Sequence, residues 1–328
     1  MRVGVLLLPL LAGACSGVQT PLDPMGDQAA RIAVLSWVLF IGATAIFALT
    51  MGLLVVALVA PARVRQAIGT RGFVIGAGII FPTVTLVALL VYTLGVSRAL
   101  VLPVEANPLR IEVIARQYWW EVRYPDSAAE GGEVAVTANE IHLPVGREVE
   151  LILTSGDVIH SLWIPNLHGK MDMIPGKANR QRLRADRPGV MRGQCTEFCG
   201  QQHTLMAFWA VAHEAADFET WLARQRAPVP DPADAEQARG RTVFGEAGCG
   251  ACHAVRGTSW QGRLGPDLSR IGSRLSIGAG ALENHRGTLA GWIAGSQDIK
   301  PGNAMPSYGR SLEGADLLAV AAWMESLR

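Results

Sequence analysis

Residues 192–208 read RGQCTEFCGQQHTLMAF. Four side chains in this stretch are common metal ligands: Cys195, Cys199, His203 and Met206, at successive spacings of four, four and three. Three explanations of the pattern are open, namely a stripe on one face of a helix, a loop closed by a disulfide, and a metal site. The surrounding sequence helps to distinguish among these three explanations.

A loop that joins two strands fits this stretch better than a helix does. Pro188 and Gly189 precede it, Gly200 interrupts it, and the β-like run AFWAVAH follows at residues 207–213. A disulfide between the two cysteines is sterically feasible in an oxidising compartment. It would leave the histidine and the methionine beside it without a role.

The chemistry of the four side chains favours copper, because thiolate, imidazole and thioether ligands together select that metal. A single cysteine would indicate one copper of the blue-copper type, whereas two cysteines indicate two coppers bridged by two thiolates. Two coppers need a second histidine. The run GDVIHSLWIP supplies His160 at the end of a predicted strand.

The composition indicates a membrane protein. Half of the 328 residues are hydrophobic and only 17% are charged. The net charge of +1 gives no electrostatic reason to expect a nucleic-acid partner. The five cysteines are an odd number, which argues against a simple disulfide framework.

The N-terminus predicts a signal peptide of the lipoprotein type. A basic Arg2 is followed by a short apolar run, which is typical of a signal peptide and assigns residues 1–14 to it. The sequence LLAGAC at residues 10–15 resembles the lipobox of bacterial lipoproteins, although Ala12 stands where leucine is usual. We therefore predict that Cys15 carries lipid, the alternative being an ordinary signal or an uncleaved leader.

The segment 15–106 predicts two transmembrane helices. No charged residue occurs in residues 32–62 or in residues 72–97. Each gap exceeds the roughly 20 residues that cross the hydrocarbon core of a bilayer. We therefore predict transmembrane helices at about 32–60 and 73–97.

The short connection between these helices sets the orientation. It carries Arg63, Arg65 and Arg71 and no acidic residue. By the positive-inside rule the connection lies in the cytoplasm, so everything after Arg98 lies outside. The sequence predicts a two-pass protein of the bacterial inner membrane, with its C-terminal domains on the periplasmic side.

The rest of the chain predicts two further domains. Residues 107–225 contain short β-rich runs separated by turn residues, which indicate an all-β sandwich or barrel. Residues 226–233 are rich in proline and form a predicted linker. Residues 234–328 predict an all-α domain with Gly- and Pro-rich loops, and a last helix at about Leu312–Leu327.

The run CGACH in the α-domain is the C-x-x-C-H motif of covalent haem c attachment. It predicts thioether bonds from Cys249 and Cys252, and an axial iron bond from His253. A thioredoxin-type redox pair would need a βαβ context, which the domain lacks. A zinc site would need a second pair of ligands, and only His285 is to spare.

A second axial ligand is predicted at Met305, in the loop KPGNAMPSYG before the last helix. A thioether ligand raises the haem potential, as electron transfer requires. The alternative is Met324, but it lies in the apolar helix LLAVAAWMESL, where methionine is more often a core residue.

Two stretches, DVIHSLWIPNLHGKMDMIPG and RGQCTEFCGQQHTLMAF, together resemble the binuclear copper (CuA) region of subunit II of haem–copper cytochrome c oxidases. The run RQYWWEVRY and the two-span anchor belong to the same pattern, so the resemblance extends from the first span to about Ala212. With the haem domain added, the chain resembles the fused subunit II of a caa-type oxidase. The resemblance implies a multi-domain membrane protein with a transmembrane hairpin, a cupredoxin-like domain and a class I cytochrome c domain.

The resemblance also implies a role for each matching residue. Cys195 and Cys199 match the bridging thiolates. The remaining copper ligands would be the His160 and His203 imidazoles, the Met206 thioether and the backbone carbonyl of Glu197. The carboxylate of Glu197 would also reach a Mg or Mn ion at the boundary with subunit I.

Four more residues match family positions less directly. Trp120 falls in the aromatic cluster through which electrons reach the copper domain, and Tyr118 stands where the family usually has tryptophan. Asp157 and Asp172 match acidic positions near a docking or interface surface, and solvated loop acids explain them equally well. The remaining histidines, His142, His168, His213 and His285, are predicted to be structural or solvent-facing.

The second span departs from the family. Many relatives have a glutamate and a tryptophan before the proline that corresponds to Pro82, and the glutamate guards a proton path in subunit I. Here Val74 and Gly78 stand at roughly those places. Either the route of proton uptake differs or another acid serves it.

The implied function is electron relay. The chain would accept electrons from a cytochrome c at haem c, pass them to CuA and then to haem a of subunit I. There dioxygen is reduced to water with coupled proton translocation. The implied partners are subunit I with haem a and CuB, subunit III, the cytochrome c donor and the membrane, with no nucleic acid.

Three alternatives to this interpretation exist, of which the quinol oxidase subunit lies within the same family and the other two belong to other classes. The first is a membrane-tethered copper and haem electron carrier without an oxidase partner, whose spans would be simple anchors. The second is subunit II of a quinol oxidase, which shares the fold but lacks the copper ligands. The third is nitrous oxide reductase, which uses the same copper centre but needs a large second catalytic domain.

Overall fold

A computed structural model of the chain describes residues 16–101, 107–125 and 134–328. The predicted signal peptide at residues 1–14 and the predicted lipid site at Cys15 lie outside these ranges. The described residues form an N-terminal helical hairpin, a β-sandwich domain and a C-terminal helical domain.

Two apolar spans form the hairpin. The spans Asp27–Val59 and Arg71–Leu100 have the length and composition that could cross a membrane, and almost none of their side chains is buried inside the protein. An apolar helix that is exposed on all sides requires lipid or another protein around it. The hairpin consists of α1 (Asp27–Val59), α2 (Ala62–Ile68), α3 (Arg71–Ile75), a π-helical turn (Gly76–Ile80) and α4 (Phe81–Val101).

Both outer ends of the hairpin meet the β-sandwich domain. Where α1 begins, the backbone N–H of Met25 donates to the carbonyl of Asn166 at 2.7 Å, and that of Ala29 donates to Leu167 at 3.1 Å. Helix α4 ends at Val101, shortly before the first strand. The arginine-rich connection therefore lies at the opposite end of the hairpin from the two C-terminal domains. This arrangement agrees with a membrane-anchored protein whose domains are external.

Two five-stranded sheets make up the described part of the β-sandwich. Their strand orders are β3-β2-β1-β5-β8 and β4-β10-β9-β6-β7. The pairs β1–β5 and β4–β10 are parallel, and the other pairs are antiparallel. The strands are β1 (Leu109–Arg116), β2 (Trp119–Tyr124), β3 (Ala135–Ala138), β4 (Glu140–Pro144), β5 (Val149–Ser155), β6 (His160–Trp163), β7 (Met171–Met173), β8 (Asn179–Leu183), β9 (Gly189–Cys195) and β10 (Ala207–His213).

The sandwich core follows from alternation along the strands. In β1, Ile111, Val113 and Ala115 are buried while the residues between them are partly exposed, as expected for a strand with one face on the core. Trp120 of β2 and Phe208 of β10 are fully buried, with ring centroids 5.0 Å apart. These aromatic rings join the two sheets beneath the loop between β9 and β10.

A helix that the β-pattern did not predict follows the last strand. Helix α5 (Ala215–Arg226) buries Phe218 and Leu222 in the sandwich core. The all-β class describes the two sheets, whereas α5 covers one side of them. Its sequence, AADFETWLARQR, is rich in helix-forming residues, so local composition could have revealed it.

The helical domain contains three main helices and a short hairpin. Helices α6 and α8 cross at close range, since a Cβ atom on Gly240 would lie 2.0 Å from the carbonyl oxygen of Ala319. Phe244 and Trp323 meet edge to face in the core at 5.1 Å between centroids. The elements are α6 (Ala235–Glu246), β11 (Ser276–Ile277), β12 (Leu282–Glu283), α7 (Arg286–Ile299) and α8 (Gly314–Ser326).

The helical domain lies against the sandwich where β10 begins. The backbone N–H of Ala207 donates to the carbonyl of Ala279 at 3.0 Å, and the indole N–H of Trp209 donates to the Ser276 hydroxyl at 3.0 Å. The two domains therefore share a hydrogen-bonded boundary, which we call the seam.

The close crossing of α6 and α8 yields a stability test. Gly240→Ala should destabilise the helical domain by about 1–3 kcal/mol, because the new methyl group overlaps the backbone of α8. Gly291→Ala is the matched control, since that helical glycine has open space around it. There the same change should be neutral or stabilising by up to about 1 kcal/mol. Thermal unfolding followed by circular dichroism would measure both, and equal melting temperatures would contradict the crossing.

Candidate copper centre and haem pocket

Three strands bring the predicted copper ligands together. His160 is the first residue of β6, Cys195 is the last residue of β9, and Met206 directly precedes β10. Because β9 pairs with both β6 and β10, the loop between β9 and β10 folds over the start of β6. Cys199 and His203 lie in this loop, which we call the ligand loop (residues 196–206).

The six predicted donor groups converge around the two thiols. Cys195 Sγ and Cys199 Sγ lie 3.9 Å apart. Each thiol has one imidazole beside it: His160 Nδ1 is 3.8 Å from Cys195 Sγ, and His203 Nδ1 is 3.7 Å from Cys199 Sγ. The Met206 sulfur lies 3.8 Å from Cys199 Sγ, and the Glu197 carbonyl oxygen lies 3.3 Å from Cys195 Sγ.

This geometry separates the three explanations of the sequence pattern. Both cysteines are free, and 3.9 Å is far longer than the roughly 2.05 Å of a disulfide bond. The ligand loop is irregular apart from a single 3₁₀ turn at His203–Leu205, so the four side chains do not form a helical stripe. A metal ion held at about 2.3 Å from each sulfur can touch both thiolates, because twice that length exceeds their separation.

Electrostatics at the two thiols also favour a metal. The hydrogen bond from Cys199 lowers the pKa of the Cys195 thiol, whereas the adjacent Cys195 raises the pKa of the Cys199 thiol. The Cys199 thiol keeps its proton, because two buried thiolates in contact would repel each other. A cation between the sulfurs removes this conflict, since metal ligation requires the deprotonated form.

Asp157 orients one of the imidazoles. The Nε2–H of His160 donates to the Asp157 carboxylate at 2.8 Å, which leaves Nδ1 facing the Cys195 sulfur. A hydrogen bond from the outer ring nitrogen to a carboxylate is typical of metal-binding histidines. This role of Asp157 was not predicted, although its position three residues before His160 is a signal that could have suggested it.

The loop between β1 and β2 supports the ligand loop. Gln117 Nε2 donates to the carbonyl of Cys199 at 2.6 Å, and its backbone N–H donates to Asp157 at 2.6 Å. The Tyr118 hydroxyl accepts from the backbone N–H of Gln201 at 3.1 Å. Gly200 has φ +124°, and a Cβ there would lie 2.6 Å from the Tyr118 hydroxyl, so only glycine fits. Sequence analysis missed Gln117.

The predicted haem residues line one cavity of about 410 Å³. Cys249, Cys252, His253 and Met305 all contribute to its wall, and both cysteines are free to form thioethers. Met324 lines the same cavity, so a position in the cavity wall does not by itself show which methionine sulfur would bind the haem iron.

The proximal histidine is prepared to bind iron. His253 Nδ1–H donates to the carbonyl of Pro266 at 2.7 Å, which leaves Nε2 available as a ligand. Burial lowers the pKa of His253, so its imidazole is neutral at physiological pH. Met305 lies in the loop after α7, where its sulfur accepts a hydrogen bond from Trp292 Nε1 at 3.1 Å.

The β-sandwich domain supplies part of the haem cavity wall. Arg116, Tyr118, Trp119 and Asp157 line it together with the residues of the helical domain. Tyr118 thus touches both the ligand loop and the haem cavity. Trp120 is fully buried beside the copper ligands, with its ring centroid 6.3 Å from that of His160.

The two remaining acidic candidates lie near each other at the surface. The Glu197 carboxylate is partly exposed and lies 3.9 Å from Lys170 Nζ. The Asp172 carboxylate is 2.9 Å from the same ammonium.

The other histidines lie away from both sites. The His142 ring stacks on Trp221 at 4.0 Å, and its Nδ1 lies 2.7 Å from His213 Nε2. His168 accepts a hydrogen bond from Gln181, and His285 caps the N-terminus of α7. These contacts are structural, as the sequence predicts.

Together the described domains define a membrane-anchored protein with a candidate copper site and a candidate haem pocket. Residues 128–212 match the family model for the periplasmic domain of cytochrome c oxidase subunit II, and residues 237–328 match that for cytochrome c. The chain therefore carries a subunit II copper domain followed by a cytochrome c domain, which implies copper and haem c as cofactors. The predicted resemblance to a fused subunit II and the predicted fold classes are confirmed.

Curated relatives named cytochrome c oxidase subunit 2 align with 68% of this chain. The protein of Alkalihalophilus pseudofirmus is 38% identical over 62% of its own length, that of Bacillus sp. strain PS3 33% identical over 64%, and that of Bacillus subtilis 30% identical over 63%. The chain thus spans a little under two thirds of the length of these relatives.

Two solved structures are similar over the β-sandwich region. The periplasmic domain of subunit II of cytochrome oxidase from Bradyrhizobium japonicum is 28% identical, with 38% of this chain and all of that chain aligned and a TM-score of 0.34. A chain of a haem–copper terminal oxidase dimer is 25% identical, with 42% of this chain and 99% of that chain aligned and a TM-score of 0.30.

The bridging role of the thiols can be tested directly. Cys195→Ser and Cys199→Ser should each abolish a mixed-valence copper EPR signal, because losing one sulfur removes one of the two bridges. Haem c content, measured by absorption, should not change. Thr196→Ser, placed between the two cysteines, is the control and should keep the signal. A mixed-valence signal retained by either cysteine variant would contradict the assignment.

Met206 provides a milder test. Met206→Leu should keep the copper bound but shift its reduction potential, because a weak thioether ligand tunes the metal rather than holding it. Met191→Leu makes the same change at a buried position of β9 and should leave the potential unchanged. Redox titration with copper analysis distinguishes the two roles, and loss of copper from Met206→Leu would show that the sulfur is needed for binding.

Proposed function

We propose that this chain is subunit II of a terminal haem–copper cytochrome c oxidase in a bacterial inner membrane. In this role it accepts electrons from a cytochrome c and delivers them to subunit I, where dioxygen is reduced with coupled proton translocation. The observation that carries the proposal is that Tyr118 and Asp157 belong to the surroundings of both sites. Each lines the haem cavity and also contacts a residue of the copper site.

The residues present fit both cofactors. Cys249 and Cys252 would hold haem c through thioethers, and His253 and Met305 would bind its iron. Two coppers would be held by Cys195, Cys199, His160, His203, Met206 and the Glu197 carbonyl. When bound, these cofactors would supply one-electron redox chemistry.

The protein's own contribution is to keep the ligands in place. The copper ligands lie on or next to three hydrogen-bonded strands. Asp157 fixes the His160 ring, and Gln117 fixes the backbone of Cys199. A rigid ligand set changes little between oxidation states, so the reorganisation that accompanies each transfer is small. The Pro266 carbonyl accepts a hydrogen bond from Nδ1–H of His253 and so fixes the orientation of that ring.

The remaining partners follow from exposed features. The Glu197 carboxylate would leave Lys170 and share a Mg or Mn ion with subunit I. The hairpin would pass the membrane twice, pack against subunits I and III, and leave both domains in the periplasm. Val74 and Gly78 stand roughly where many relatives have a glutamate and a tryptophan. Proton uptake in subunit I would therefore follow a different route or use another acidic residue.

The order of the relay is open to a kinetic test. Met305→Ala should lower the haem potential and slow oxidation of the native cytochrome c by roughly ten-fold or more, with copper content unchanged. Met324→Leu is the matched control, because it changes the other cavity methionine and should leave the potential unaltered. Stopped-flow absorbance follows haem c and copper separately in the intact protein.

Two outcomes would contradict the proposal. If the native donor reduces copper before haem c, the haem is not the point at which electrons arrive. If the protein purified in mild detergent carries no haem-containing subunit and consumes no oxygen, it is a tethered electron carrier instead of an oxidase subunit.

A further inference from the structure

Lys300 occupies an unusual place for a lysine. It directly follows helix α7, and only 2% of its surface is exposed. Its ammonium donates three hydrogen bonds, to the carbonyls of Tyr118 (3.2 Å), Leu205 (2.9 Å) and Gly278 (2.9 Å). The first two carbonyls belong to the β-sandwich domain and the third belongs to the helical domain. The ammonium therefore bonds across the seam.

The ammonium is satisfied only by backbone carbonyls. No carboxylate among the described residues pairs with Lys300, and burial lowers its pKa to about 8. A buried ammonium is costly unless all its donors are used. All three donors are used only when both domains are in contact. The complete set of three hydrogen bonds therefore requires the docked arrangement of the two domains.

Neighbouring contacts continue the seam on both sides of Lys300. Gln202 Nε2 donates to the carbonyl of Pro301 at 2.7 Å, and the backbone N–H of Leu275 donates to the carboxylate of Glu140. Gly280 approaches Ala207 so closely that a Cβ on the glycine would lie 3.0 Å from the alanine side chain. The seam is thus a specific interface rather than a loose contact between tethered domains.

The three carbonyls belong to segments that matter for the relay. Leu205 directly precedes the copper ligand Met206, and Tyr118 and Gly278 line the haem cavity. Lys300 itself begins the loop that carries Met305. One side chain therefore ties the loop of a haem ligand to the ligand loop of the copper site.

We infer that Lys300 is a positioning residue that locks the helical domain onto the β-sandwich domain and so fixes the distance between haem c and copper. This inference rests on the proposed function, because it concerns electron transfer between those two sites. Electron transfer between fixed cofactors slows steeply with distance, so a seam that opens would interrupt the relay without damaging either cofactor site.

The first experiment tests the lock without any electron transfer. The lysines of the chain are Lys170, Lys177 and Lys300. The full-length holoprotein is treated with an amine-acetylating reagent, and the acetylation rate of each lysine is measured by mass spectrometry. Lys300 should react at least about ten-fold more slowly than the exposed Lys177, because its ammonium is reached only when the seam opens. Equal rates would overturn the lock.

The second experiment tests positioning. Lys300→Met should keep the haem spectrum and the copper EPR signal, raise hydrogen exchange in residues 275–280, and slow haem-to-copper transfer roughly ten-fold or more. Lys177→Met removes a lysine from an exposed turn and is the matched control. Lys300→Arg keeps the charge and should restore part of the exchange protection.

The outcomes separate the inference from the proposed function. If Lys300→Met exchanges and transfers electrons like Lys177→Met, the positioning role is wrong. If its seam opens but the transfer rate is unchanged, Lys300 locks the domains without positioning the cofactors, which also overturns the inference. If Lys300→Met does not fold, the acetylation rates of the unmodified protein still decide whether the lock exists. If haem c never reduces copper in the unmodified protein while Lys300 remains protected, the proposed function fails and the lock stands.

Discussion

The contact between the Cys195 and Cys199 thiols is the constraint on which the rest of this structure depends. Two buried thiols 3.9 Å apart repel each other once both lose their protons, so the pair requires a nearby cation to offset that repulsion. The fold meets this requirement by placing one imidazole beside each sulfur and a thioether and a carbonyl at the margins. The strand ends of β6, β9 and β10 supply these groups, so the sheet pairing sets the geometry of the metal site.

A second layer of contacts connects the copper site to the haem domain. The loop between β1 and β2 holds the ligand loop through Gln117 and Tyr118, and it also forms part of the haem cavity wall. Asp157 belongs to both environments as well. The two sites therefore do not behave as separate modules on a linker, since a change at this loop would reach both.

Most residues of the two candidate sites could be proposed from the sequence, because they lie in short, chemically distinctive motifs. The spacing of cysteine, histidine and methionine in the ligand loop and the C-x-x-C-H run carry their chemistry within a few residues. Other features depend on distant parts of the chain. In the sequence, Asp157 is indistinguishable from an ordinary loop acid, and only the fold shows its contact with His160. In the same way, Lys300 is simply the first residue of the Met305 loop, and only the fold brings its three carbonyl partners together. Helix α5 was not predicted because the prediction for this domain followed its β-pattern, although the helix-forming composition of residues 215–226 is visible in the sequence.

The shared wall of the haem cavity has a consequence for how the protein matures. Residues 116–119 of the β-sandwich domain cover one side of the pocket once the seam has formed. A porphyrin that arrives after docking meets these residues, whereas an undocked helical domain leaves Cys249 and Cys252 open on that side. The shared wall therefore favours covalent haem attachment before the two domains close, because an open pocket admits the porphyrin from that side.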